Sequence, residues 1–242
     1  MIRISKFAIG IQPSQKMFRV SSLRGSLVDT VLSLRGTKPF DDEYYTEVSR
    51  NVEQGTVQLR NEELGNVLRI DQDRVVFTKD YYLSEKAHDI NDAIQEFRTI
   101  WKHLNEELRA RNIRQIGIAA EHQIPAKDAK ASEALLGALT SITTVGHPAK
   151  FILKIEDRRF PTKGGIPDLK KDDFINVGRQ FYDSDHDADH AKAGHINANI
   201  DVQRYYSPLF NGNVFDEVTV LQKLFLEEKN RLEDDLKKRG LV

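Results

Sequence analysis

The sequence predicts an α+β protein made of two similar halves, each an antiparallel sheet followed by a long amphipathic helix. Three observations predict it. Short runs of alternating apolar and polar residues recur between glycines and polar turns, before residue 88 and again between 151 and 206. Each set of runs leads into a long stretch with apolar residues at helical spacing. The two sets also stand at a fixed offset. Tyr81-Tyr82 and Tyr205-Tyr206 both close a strand before a helix, 124 residues apart, and the same offset carries Ile90 onto Val214, Ile94 onto Val218, Phe97 onto Leu221, Trp101 onto Phe225 and Leu108 onto Leu232. Leu104 breaks the series by landing on Glu228. The expected organisation is a first half over 1–125, a connector with a short helix over 126–150, and a second half over 151–242, with a groove between the halves.

In chain order, Ile2, Ile4 and Ala8 open a strand. Apolar–polar runs at 17–23 and 26–34, broken by Gly25 and Gly36, make the first 35 residues strand-rich by expectation. Residues 38–50 are polar around Tyr44 and Tyr45. Runs at 56–60, 66–71 and 74–82, separated by Gly55, Gly65 and the Asp71-Gln72-Asp73 turn, read as an antiparallel meander. From near His88 to near Asn112, Ile90, Ile94, Phe97, Trp101, Leu104 and Leu108 share one helical stripe. Glu96, Arg98, Lys102, Glu106 and Arg109 fall off it and face water. Trp101 is expected as a buried anchor rather than a stacking platform. A strand at 113–120 follows, then Pro125 and an Ala/Lys-rich connector. Ser132 is placed to cap a short helix over 132–141 that carries Leu135, Leu136 and Leu139. The second half reads as a strand at 151–155, a loop at 158–169 around Gly164-Gly165, strands at 173–182 and 195–206, and a helix from Val214 nearly to the C-terminus.

Composition narrows the function classes. Charged residues make up 30% of the chain and hydrophobic ones 39%, the mix of a soluble globular protein. Apolar runs fall far short of the roughly 18 residues that cross a bilayer, so no membrane partner is expected. The opening MIRISKFAIGIQPSQ has no apolar stretch of signal-peptide length, which makes the cytoplasm the expected compartment. There are no cysteines, which excludes disulfides, thiolate zinc sites and cysteine nucleophiles. The net charge of -1 gives no global basic excess for nucleic acid. A basic strip through Lys6, Arg19, Arg24 and Arg35 in the N-terminal strands is the feature that points toward nucleic-acid binding. No P-loop, Rossmann glycine pattern or nucleophile elbow is present.

The densest cluster of reactive side chains is FYDSDHDADHAKAGHIN at 181–197, with four aspartates and three of the chain's seven histidines. On a helix His186 and His190 would share a face as two metal ligands, with His195, Asp183 and Asp187 nearby. The intervening residue of the zincin pattern is an aspartate rather than the glutamate that serves as general base. As a calcium loop, Asp183, Asp185 and Asp187 fit the first three positions, but Ala188 and Gly194 stand where glycine and glutamate belong. The plainer reading is a polar hairpin loop between the strands at 173–182 and 195–206. A divalent metal held by this cluster and a loop with no cofactor are the two alternatives.

IRQIGIAAEHQI at 113–124 resembles the strand R-I-G-L-R-Y-x-N-x-I that follows the long helix in a sporadically distributed prokaryotic family of about this length. HINANIDVQRYY at 195–206, with the helix VFDEVTVLQKLFLEEKNRLEDDLKKRGLV, looks like that family's closing strand and helix. Ala119 and Ala120 replace the basic and aromatic residues of the family strand. The resemblance implies a cytoplasmic prokaryotic accessory protein. The family brings no established activity, so no catalytic residue is carried over.

The leading functional expectation is a non-enzymatic interaction subunit of a prokaryotic multi-protein assembly, such as a defence or mobile accessory system. Its partners would be proteins, with self-association compatible. The alternative is a metal-dependent hydrolase or nuclease using Asp183, Asp185, His186, Asp187, His190 and His195. A weaker alternative is a nucleic-acid-binding protein.

Overall fold

In a computed structural model of the protein, residues 2–51, 55–82, 88–125, 131–143, 150–183 and 195–241 are described. Along the chain they form β1 (Arg3–Pro13), α1 (Arg19–Ser22), α2 (Arg24–Leu32), β2 (Glu47–Asn51), β3 (Thr56–Asn61), β4 (Asn66–Ile70), β5 (Val75–Asp80), α3 (Ile90–Leu108), β6 (Ile113–Pro125), α4 (Ala131–Leu139), β7 (Ile152–Arg159), β8 (Phe174–Asp183), β9 (His195–Phe210) and α5 (Val214–Lys238). The nine strands make one antiparallel sheet in the order β2-β3-β4-β5-β1-β6-β9-β8-β7. The architecture is α+β, as expected. No described helix is long and apolar enough to cross a membrane.

The two groups of strands meet at the β1–β6 pair, where Gly10 lies opposite Gly117, Ile9 opposite Ile118 and Ile11 opposite Ile116. Each group then runs outward from this seam: β5, β4, β3 and β2 on one side, β9, β8 and β7 on the other.

Alternation gives the sheet two unlike faces. Phe7, Ile9 and Ile11 of β1, Val75 and Phe77 of β5, Ile116 and Ile118 of β6, and Ile200 and Val202 of β9 are buried on one face. The long helices cover it. In α3 the buried stripe is Ile90, Ile94, Phe97, Trp101, Leu104 and Leu108, and in α5 it includes Val218, Leu221, Phe225 and Leu232. Trp101 is a core anchor, with its ring 6.4 Å from that of Phe97. Asp89 caps α3 by accepting from Asn91 N, and Asn213 caps α5 by accepting from Phe215 N. Arg98 joins the helices, donating to Thr219 Oγ1 at 2.6 Å.

Four expectations need correction. The runs at 17–23 and 26–34 are not strands but α1 and α2. Leu27, Val28 and Val31 are spaced one and four residues apart, so on a helix they share a face, and all three are buried in α2, which packs on α3. Glu96 does not face water: it is buried within α3. The basic strip is not built, since Arg19 and Arg24 lie on helices and the Arg35 guanidinium donates to the Tyr45 carbonyl. The tyrosine pairs are one residue out of step with the helices, because the core-facing members are Tyr81 and Tyr206, 9% and 8% exposed. Element ends also differ: β7 runs on to Arg159, and β9 to Phe210.

Candidate functional site

The second face of the sheet carries no helix in the described residues. Its centre is a floor of small side chains, with Ala8 and Gly10 of β1 opposite Ala119 and Gly117 of β6, while Gly178 of β8 lies across β9 from Ala119, opposite Asp201. Around them stand Asn176, Gln180, Asn199, Asp201, Gln203 and Tyr205, all partly exposed. Toward the edge strand β7, Lys154, Glu156 and Arg158 join Arg114, Arg179, Gly178 and this polar row in lining a depression of about 440 Å³. Gln203 ties the polar row together: its Oε1 accepts from Gln115 Nε2 at 3.0 Å and from the Tyr205 hydroxyl at 2.7 Å. Burial pushes the Asp201 carboxyl up from its ordinary pKa.

At one end of the sheet a larger cavity of about 1400 Å³ wraps around the strand ends. Asp41, Glu62, Glu63 and Asp80 line one part of it, and Asp89, Asp92 and Glu96 enter from the start of α3. Glu121 and Asp183 come from β6 and β8. Against these nine carboxylates stand four cations, Lys6, Arg60, Lys79 and Lys150, so the described lining carries a formal charge of 4 − 9 = −5. Tyr44, Tyr81, Tyr82 and Tyr182 also line it.

Two carboxylates are tied into the wall. Glu96 accepts from Lys79 Nζ at 2.7 Å and from the Tyr44 hydroxyl. The Lys79 ammonium also lies 5.2 Å over the Tyr44 ring. Burial first, then the charges of Tyr45 and Glu96, drives the Tyr44 pKa upward and holds the phenol protonated. Glu121 accepts from Ser5 Oγ at 2.9 Å and from the Tyr182 hydroxyl. Several buried oxygens of the lining have no hydrogen-bond partner among the described residues: Asn66 Oδ1, Asp183 Oδ1 and Asn197 Oδ1.

Among the described residues of the 181–197 stretch, Tyr182, Asp183 and Asn197 line this cavity. Asp183, at the end of β8, is buried, and its Oδ2 accepts from Phe151 N. His195 opens β9 opposite Pro125, next to Ile196, which pairs with Asp183. Asp185, His186, Asp187 and His190 lie outside the described residues. Among the described residues no group of three histidine or carboxylate side chains is arranged to hold a metal ion. The strands on either side are antiparallel neighbours, as the hairpin reading expects.

Sequence reading missed the cavity because its carboxylates are scattered from Asp41 to Asp183 with no local motif. The isolated signal was an acid on an apolar helix stripe. It marks Glu228, 1% exposed on α5, which ion-pairs with Arg159 at 3.3 Å, Arg231 at 3.0 Å and Arg179. His122 was also unmarked. It is buried under Phe225 in the core, its Nδ1 lies 3.1 Å from the Ala198 carbonyl, and burial lowers its pKa to about 4.

No protein-family model and no curated protein matches the chain. Among solved structures, the duplicated taurocyamine kinase from Schistosoma mansoni, with bound transition-state analogue components, is similar over 90% of this chain at 9% identity and a TM-score of 0.36. The chain spans 31% of that kinase chain. A likeness this distant carries no argument about function.

Proposed function

We propose that this protein is a non-enzymatic interaction subunit of a prokaryotic multi-protein assembly, of the defence or mobile accessory kind, and that the uncovered sheet face and its end cavity receive a protein partner. The observation that carries the reading is the contrast between a sheet face sealed by helices and a face of small and polar side chains left open. Polar side chains of both signs around a small-residue floor suit a protein surface with its own mixed polarity. Phosphate recognition would call for a basic excess over the whole surface, whereas the depression on the open face carries 4 − 2 = +2 (Arg114, Lys154, Arg158 and Arg179 against Glu156 and Asp201) and the end cavity carries −5, a surface of both signs. Glu96 and Glu121 are each held by a tyrosine hydroxyl, which fits a binding wall. The resemblance to the sporadic prokaryotic family supports the setting.

We also propose that the two halves of the fold arose by duplication. Support comes from the outward strand order on both sides of the β1–β6 seam, from Ile-Gly-Ile at 9–11 and 116–118 meeting there, and from a long helix following the last strand of each group.

The test is affinity purification of the tagged protein from its native host, repeated with Asn176→Lys plus Asn199→Lys on the open face. A stoichiometric protein partner that the double variant loses supports the reading. A protein that purifies alone contradicts it.

A further inference from the structure

We infer that the cavity at the sheet end binds a lysine- or arginine-bearing segment of the partner protein; this rests on the interaction reading above and names the partner's chemistry. The charge distribution is the first argument. The whole chain carries -1, yet the described cavity lining alone carries 4 − 9 = −5. That concentration in a concave, low-dielectric wall attracts cations and disfavours anions.

The protein already holds one of its own ammonium groups here: Lys79 sits between the Glu96 carboxylate, at 2.7 Å, and the Tyr44 ring, at 5.2 Å. Glu121 and Tyr182 repeat the carboxylate–tyrosine pair in the same cavity. Among the described residues no lysine or arginine ion-pairs with Glu121. A cation from outside would complete the second pair as Lys79 completes the first.

The cavity also holds acceptors without donors. Asp183 Oδ1 and Asn197 Oδ1 belong to cavity-lining residues that are 7% and 5% exposed, and neither oxygen has a partner among the described residues. Both oxygens lie just beneath the cavity surface; leaving a buried acceptor unpaired costs about 1–3 kcal/mol, a cost that an ammonium or guanidinium donor reaching them would remove. Size selects a peptide over a small amine. The cavity's roughly 1400 Å³ exceeds the range of about 300–1,000 Å³ typical of small-molecule sites.

The probe is a fluorescein-labelled peptide of about a dozen residues, alternating lysine and serine, followed by anisotropy. Two triple variants carry the same change in net charge. One neutralises exposed cavity residues, Glu62→Gln, Glu63→Gln and Asp92→Asn; the other neutralises exposed α5 residues, Glu227→Gln, Asp234→Asn and Asp235→Asn. Saturable binding is expected, weakened about tenfold or more by the cavity variant and less than about twofold by the helix variant. Equal weakening by both, or no binding, overturns the inference. Spermine is expected to displace the peptide only at concentrations well above the peptide's own dissociation constant. Spermine binding as tightly as the peptide overturns the choice of a peptide occupant. A peptide that fails to bind while the wild-type protein still captures a stoichiometric partner refutes this inference and leaves the interaction reading intact.

Discussion

The two faces of the sheet are built from the same strands and obey opposite rules. On the helix-covered face, Phe7, Ile9 and Ile11 of β1 are buried in one core with the apolar stripes of α3 and α5. On the other face the intervening Ala8 and Gly10 of that same strand meet Ala119 and Gly117, with amides and charges around them. On the proposed reading, substitutions on the first face act on folding and those on the second act on binding.

The largest effect expected is on the covered face. Phe225→Ala removes a fully buried ring from α5 and costs about 3–5 kcal/mol in denaturant unfolding, while Asn199→Ala on the open face shifts stability by less than about 0.5 kcal/mol. Comparable costs on both faces would erase the distinction.

Next comes the buried carboxylate of α5. Glu228→Ala strands Arg159 and Arg179 beside the core and is expected to cost about 3 kcal/mol, the lower end for a broken buried pair because both arginines retain solvent contact. Thermal unfolding of Glu228→Ala against Arg231→Ala checks this. Arg231 is the most exposed of the three arginines, and its removal should cost under about 1 kcal/mol.

The third effect depends on pH. His122 titrates near 4 in the folded protein and near 6.5 unfolded. Between those values the unfolded chain takes up a proton that the folded protein does not. This group's contribution is therefore complete above about pH 6.5, is lost as pH falls toward 4, and amounts at most to about 3 kcal/mol. Stability curves at a series of pH values should lose this component in His122→Phe. A wild-type profile identical to the variant's would place His122 in water.

The smallest effect on stability, and the largest on binding, belongs to the open face. Asn176→Lys plus Asn199→Lys should leave the melting temperature within a few degrees and remove the partner.

Much of the covered face was legible in the sequence, because periodicity reports burial. The stripes from Ile90 to Leu108 and from Val218 to Leu232, and the alternation in β3, β4, β5 and β9, all mark side chains that leave water. Periodicity failed where the window was short. In α2, Leu27, Val28 and Val31 fit a strand pattern until α3 supplied the surface that makes a helix the better burial. It failed again at Glu96, where the sequence puts an acid off the stripe but not the Lys79 and Tyr44 groups that make it buriable. The open face left almost no trace. Gly117 looks like an ordinary strand breaker until the register places it opposite Gly10, next to the Ala8–Ala119 pair. The cavity is legible only in three dimensions, since its carboxylates are brought together by strand ends rather than by spacing along the chain.

The most direct test of the central claim is amine-reactive crosslinking of the complex purified from the native host, read by mass spectrometry. The two-face account predicts partner crosslinks through Lys6 in the cavity and Lys154 beside the open face, with Lys223, Lys237 and Lys238 of α5 silent. Crosslinks confined to those α5 lysines would show that the partner sits on the helical side and would contradict the account.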